Sequence, residues 1–434
     1  MARINRVLRS LNALGNRLPP LYAVLAISVV SGLVKLAYIL VLGGGLSGFP
    51  TEGSDGSVFH VAAGNLLAHG VYGLDQAHPM VQPPPGEAAW LAGLYVISGH
   101  SLAVAKLAHV ALLALTGVLT YFTGRLLFSA AAGLGAGLLL AIDPAQAYMA
   151  GTFLSEPLYI FLMTLGLYLV LRGRVPQQAV GWAVGAGLCF GLAGLTRNQG
   201  ITFAAVLFAA AVMSRGRVLP WRMAAVTLGV ALLVIAPWTY RNYLVSGHFI
   251  PISTNGGLTL WSSNNPDFIW RQPMPMSLAL YDAPSGMGSY ELDQFFHDQA
   301  TAWIAAHPLE FAVNGLRKVI MLFNFDPASV RPEMANLFRV AGLFPYGLML
   351  PFILLGLGDA LRRRELWLLG VYVVMTTALA FVFWGDSRVR APIQPYLYLL
   401  GTAWILQRLV VGSPTRVVGE VAGQAAHVSD GATR

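Results

Sequence analysis

Charge is scarce in this sequence. Of 434 residues, 27 are Lys or Arg and 19 are Asp or Glu, 11% in all, less than half of the roughly 25% in ordinary soluble domains. So few ionic groups cannot cover the surface of a chain this long, which excludes a soluble enzyme. Cysteine is nearly missing: Cys189 stands alone in an apolar run, which excludes a disulfide framework within the chain. A hydrophobic share of 56% excludes a disordered protein. There is no Walker loop, dinucleotide fingerprint or serine-hydrolase elbow, and His60, His69 and His78 lack a metal-ligand pattern. The net charge of +8 comes without a basic stripe interleaved with aromatics, so nucleic acid is not an expected partner.

What is present is a series of long apolar runs. A hydrocarbon core takes about 20 mostly apolar residues per helix. Spans are predicted near 21–43, 101–124, 129–143, 153–171, 179–195, 199–214, 222–238, 340–358, 366–384 and 391–409. The expected fold is an all-α polytopic membrane protein with about 10 transmembrane helices (range 9–12) and short amphipathic helices in its extracytoplasmic loops. The run 86–98 opens with Pro83-Pro84-Pro85 and carries Glu87, so it reads as interfacial or re-entrant.

Charge sidedness orients the chain. Arg3, Arg6, Arg9 and Arg17 precede the first run, and the positive-inside rule places them in the cytoplasm. That run is too long for a signal-peptide core and reads as an uncleaved anchor. Alternation then leaves 16 basic residues against four acids on the cytoplasmic side, and 10 against 15 on the other, with Lys35 inside the first span. Both termini are expected in the cytoplasm of a plasma or inner-membrane protein. The expected organisation is a cytoplasmic segment 1–20, a transmembrane module 21–238 with a first extracytoplasmic loop 44–100, and a large extracytoplasmic loop 239–339. That loop carries amphipathic stretches at 290–306 and 308–323. A second transmembrane module 340–410 follows, then a tail 411–434 with the composition of a disordered segment.

Polar groups are costly near a bilayer, and here they gather on the extracytoplasmic face. Asp55, in Ser54-Asp55-Gly56-Ser57, is either the cap of the helix that follows or a general base for an acceptor hydroxyl. Glu156, in Ser155-Glu156-Pro157, opens the fourth span, where a helix dipole also favours an acid. Arg197 and Arg241 oppose the charge bias of their side. An anionic ligand such as a phosphate explains both; a pair with Asp143 or Glu156 is the other reading for Arg197, and headgroup anchoring beside Trp238 and Tyr240 for Arg241. Arg388 and Arg390, just before the last span, form either an internal salt bridge or a phosphate clamp. Asn255, Trp261 and Asn264 suit a sugar, offering amides to hydroxyls and a ring to its C–H face, although Asn255-Gly256-Gly257 is also turn chemistry.

In order and sidedness these residues resemble the GT-C superfamily of polyprenyl-phosphate-sugar-dependent glycosyltransferases, near the bacterial relatives of protein O-mannosyltransferases and lipid A aminoarabinose transferases. The resemblance covers roughly 21–410. It rests on Asp55 with Ala63-Gly64-Asn65-Leu66-Leu67 and Gly70; on Pro83-Pro84-Pro85 before Gly99, Ser155-Glu156-Pro157-Leu158 and Leu195-Thr196-Arg197; and on Pro237-Trp238-Thr239-Tyr240-Arg241-Asn242, Asn255-Gly256-Gly257, Asn264-Asn265-Pro266 and Arg388-Val389-Arg390-Ala391-Pro392. The resemblance implies Asp55 as catalytic base, Glu156 as a second acid near the sugar, and Arg197, Arg241 and Arg390 as ligands of the donor phosphate. Many members carry a second acid directly after the aspartate, where this chain has Gly56. That departure weakens a two-carboxylate first loop and any bound divalent metal, although Glu52 is a candidate substitute.

The implied reaction moves a sugar from a polyprenyl-phosphate donor to the hydroxyl of a glycan, lipid or protein acceptor, by inverting displacement at the extracytoplasmic face, with no cofactor. The rival from another class is a transporter or flippase of lipid-linked glycans; an O-antigen ligase or polymerase is a nearer one. One-sided polar residues and the lack of an internal repeat speak against transport.

Overall fold

Each of the ten apolar runs is helical. The computed structural model describes residues 2–49, 54–173, 179–266, 268, 286–325 and 339–411, and those residues contain no strand. Glu52 and the tail beyond 411 lie outside them. The helices are α1 (Ala2–Arg17), α2 (Pro20–Val41), α3 (Asp55–His69), α4 (Gly86–Ser98), α5 (Leu102–Leu127), α6 (Ala130–Ala141), α7 (Pro144–Gly151), α8 (Glu156–Arg172) and α9 (Ala179–Thr196). They continue with α10 (Gln199–Met213), α11 (Trp221–Ser246), α12 (Gly256–Ser262), α13 (Ser289–Ala306) and α14 (Pro308–Phe323). Last come α15 (Leu348–Arg362), α16 (Trp367–Val382), α17 (Ser387–Arg390) and α18 (Gln394–Ile405).

Length and composition alone qualify fewer helices than the expected ten. Among the described residues six helices are long and apolar enough to cross a membrane, or seven if the bent pair α6 and α7 is one span. The other apolar runs are helical but short: α8 has 17 residues, α10 has 15 and α18 has 12. At 1.5 Å per residue the 13-residue α4 is about 20 Å long, too short to cross. The seventh run continues further than expected: α11 passes Pro237 and reaches Ser246, so Trp238 and Arg241 stand on its last turns rather than in a loop.

Small residues let the helices approach. Gly187 and Gly191 on α9 face α11 so closely that a Cβ would lie 2.6 Å from Thr227 O and 2.9 Å from Ala231 O. In lipid, where apolar side chains gain nothing by leaving the solvent, such contacts carry the packing. Buried lysines tie down a helix end and a loop. Lys35 Nζ donates at 3.1 Å to Ala141 O, a carbonyl that the end of α6 leaves without a partner, and Lys106 Nζ donates at 2.7 Å to Gly45 O in the loop after α2. Between α6 and α7 the chain bends by 52°. There Asp143 accepts from the Ala145 and Gln146 N–H groups and from Tyr398 Oη at 2.6 Å.

Candidate active site

At one end of the bundle, the start of α3, the start of α8, the α9–α10 hairpin and α17 converge. Ser54, not Asp55, caps α3: its Oγ accepts from Ser57 N at 3.3 Å. The Asp55 carboxylate is therefore free of cap duty. With 47% of its side chain exposed, its Oδ2 receives Arg388 Nη2 at 2.6 Å. Glu156 is fully buried at the start of α8, and its Oε1 accepts from Arg197 Nη1 at 2.7 Å and from Arg388 Nε. Arg197 Nη1 also donates to Ser155 Oγ at 3.2 Å.

Arg388 thus bridges the two acids, with one arm to a buried carboxylate and one to a half-exposed carboxylate. Burial pulls its pKa down, but the Glu156 and Asp55 carboxylates outweigh that and hold it above its ordinary value. The pairing is fixed by an unusual backbone approach. Gly56 lies against the loop before α8, where a Cβ would sit 2.2 Å from Thr152 O. The next residue, Phe153, is buried in the left-handed region at φ 52°. The loop that delivers Glu156 therefore presses on the first turn of α3 and holds Asp55 beside it.

The other residues singled out in the sequence lie apart from this cluster. Arg241 donates to Met80 O and Tyr72 O and stacks over Trp238 at 4.6 Å, pinning the 72–80 loop to α11. Arg390 is buried, donates to Gln394 Oε1, Leu322 O and Asn324 O, and lies 3.7 Å from the Tyr346 ring centroid. Arg388 and Arg390 consequently serve different partners. Asn255 Oδ1 accepts from Ser253 Oγ at 2.9 Å. Asn264 is buried, donates to Leu260 O and Val382 O, and accepts from Lys318 Nζ at 3.0 Å. The Trp261 Nε1 is buried and has no hydrogen-bond partner among the described residues.

Three features escaped the sequence reading. Glu87 and His109 are both fully buried and pair at 2.9 Å between Oε1 and Nε2. Burial pushes the Glu87 carboxyl up, against the lowering influence of His109. The only sequence signal was a lone acid in a short apolar run. Lys318 is a buried ammonium held by Asn264 Oδ1 and Val382 O, hidden in the amphipathic pattern of α14. The third is the closeness of Gly56 to Thr152, which no local pattern announces.

The donor set does not resemble a metal site. Asp55 and Glu156 share a guanidinium, Gly56 leaves no room for a second carboxylate, and no group of three or more His, Cys, Asp or Glu among the described residues could hold a metal ion.

Residues 82–240 match the family described as dolichyl-phosphate-mannose-protein mannosyltransferase. No curated protein sequence matches the chain. Among solved structures, the oligosaccharyltransferase AglB from Archaeoglobus fulgidus, in complex with an inhibitory peptide and a dolichol-phosphate, is similar over 95% of this chain and 54% of its own, with 14% identity and a TM-score of 0.52. Its apo form gives 94%, 54%, 14% and 0.54. ArnT from Cupriavidus metallidurans bound to undecaprenyl phosphate is similar over 88% of this chain and 77% of its own, with 16% identity and a TM-score of 0.44. At such identities the likeness is one of fold, and the chain spans about half the length of the oligosaccharyltransferase.

Proposed function

From the family match over residues 82–240 and the likeness in fold to the archaeal oligosaccharyltransferase, we propose that the chain is an integral membrane glycosyltransferase of the GT-C superfamily. It would take a sugar from a polyprenyl-phosphate donor and pass it to an acceptor hydroxyl at the extracytoplasmic face, with inversion. The observation that carries this reading is the Asp55–Arg388–Glu156–Arg197 constellation. Asp55 is the half-exposed base and takes the acceptor proton as the hydroxyl oxygen attacks the anomeric carbon. The bond from that carbon to the phosphate oxygen breaks, and its electron pair leaves with the lipid phosphate.

The arginines serve the leaving group. Exposed ion pairs are worth about 0–1 kcal/mol, whereas removing one partner of a buried pair costs about 3–5 kcal/mol. An incoming phosphate therefore displaces Asp55 from Arg388 more readily than it displaces Glu156. That exchange leaves the guanidinium anchored on Glu156, turns it to the phosphate and frees Asp55 to act as base. Donors pre-positioned in this way stabilise charge that develops in the transition state. No step is routed through a metal, because the described acids at the site share guanidinium partners instead.

The test is Asp55→Asn in purified protein with a polyprenyl-phosphate sugar. Loss of a general base lowers turnover by about 10²–10⁴-fold, with donor binding kept. Near-normal turnover by that variant overturns the base assignment.

A further inference from the structure

The face of α14 that points away from the protein carries an apolar stripe, and the face that points inward buries Asn314 and Lys318 beside Met321 and Leu322. Leu309, Val313, Leu316 and Ile320 are 76%, 40%, 60% and 58% exposed, and their spacing aligns them in one stripe along the helix. A helix whose outer face met water would not align four exposed apolar residues in this way. Its neighbour α13, joined to it at His307, supplies the contrast: Glu291, Gln294, His297, Asp298, Gln299 and Thr301 are exposed on it, and its only exposed apolar positions are the small Ala302, Ala305 and Ala306.

The depth of α14 is set by a span. Lys318 Nζ donates at 3.0 Å to the carbonyl of Val382, the last residue of α16. Gly385 abuts the Lys318 carbonyl so closely that a Cβ would lie 2.1 Å from it, and one on Gly315 would lie 2.5 Å from the Phe381 ring. So α14 packs on the end of a membrane-crossing helix, where hydrocarbon gives way to headgroups. Its 16 residues make it about 24 Å long, short of the roughly 30 Å of a hydrocarbon core.

We propose that α14 is an interfacial helix whose Leu309–Ile320 stripe is embedded in the acyl chains of the bilayer, with α13 beside it in water. A helix of this kind buries its apolar face about 5–10 Å into the boundary between headgroups and acyl chains. Arg317, next to the stripe, is placed to meet lipid phosphates, and buried Lys318 satisfies protein acceptors instead. The carbonyls of Leu322 and Asn324 beyond the stripe accept from Arg390, two residues from Arg388. The lipid-borne helix is thereby tied to the turn that carries the bridging arginine.

The experiment is nitroxide scanning of the full chain in nanodiscs of phosphatidylethanolamine and phosphatidylglycerol. In a Cys189→Ser background, Val313→Cys, Leu316→Cys, Ile320→Cys and His297→Cys are labelled singly. Accessibility to oxygen, which concentrates in lipid, is compared with accessibility to a water-soluble nickel chelate. The three stripe positions are expected to favour oxygen severalfold, and His297 on α13 to favour the chelate. Stripe labels that behave like His297 overturn the proposal. So do stripe labels shielded from both reagents and broadened by spin–spin coupling, which would place a second copy of the chain on this face.

Discussion

Adding one methyl group at Gly56 is the sharpest test of how this site is held. A Cβ there would sit 2.2 Å from Thr152 O and 3.4 Å from Phe153 Cβ. Ordinary contact needs roughly another ångström, and the neighbour is backbone in a loop pinned by buried Phe153. Gly56→Ala must therefore push the first turn of α3 away from the loop before α8. Overpacking of this kind costs about 1–3 kcal/mol, which leaves a folded protein with a lowered melting temperature. The larger effect falls on the reaction, because Asp55 rides on the displaced turn. A misplacement of about 1 Å costs on the order of 10²-fold in rate, and the loss should appear in kcat rather than in donor binding. Gly64→Ala is the control: it lies on the same helix with nothing within 4 Å of its Cβ, and it should leave turnover unchanged. The assay is sugar transfer by each variant in nanodiscs, with thermal unfolding measured in parallel. Wild-type turnover by Gly56→Ala would refute the claim that this backbone contact sets the position of the base.

Two further outcomes follow from buried charge. Glu156→Gln removes the carboxylate that two arginines share; because both arginines are partly exposed, the loss should fall near the lower end of the buried-pair range, about 3 kcal/mol, read as a lower melting temperature, and an unchanged value would show that the arginines find water or other partners. Burial pulls Lys318 down to about 7, below its unfolded value, so between that pH and about 10.4 the unfolded chain binds more protons and stability rises with pH. Melting temperature should increase from pH 7 to pH 9 in the native chain and stay flatter in Lys318→Met; parallel profiles would contradict the assignment.

How much of this was legible in the sequence depended on how local each cause was. The helices were legible because the apolar runs are contiguous, and the start of α3 because Ser54-Asp55 offers capping side chains, of which Ser54 takes the role. Asp55, Glu156, Arg197 and Arg388 could be singled out because ionic groups near a bilayer need a reason. Their partition could not. Whether Arg388 or Arg390 faces the acids depends on which side of a four-residue turn packs on α14, and that is settled by Leu322 and Asn324 accepting from Arg390. The pairing of Glu87 with His109 joins residues 22 apart in the chain on two successive helices. The number of crossings was less legible, because an apolar run reports burial as readily as length: α18, with 12 residues, is almost wholly enclosed by protein.

The placement of one guanidinium between two carboxylates has a consequence for the flow of charge. In the proposed transfer Asp55 gives up one negative charge by taking a proton, and the departing lipid phosphate gains one by keeping the bond electrons. Arg388 touches the first group in the free protein and would touch the second in the complex. The charge it faces would be handed from protein to lipid over a few ångströms, with no change in the total. A site arranged this way needs no ion to enter or leave as the bond breaks, so the step should respond little to ionic strength or to the potential across the membrane.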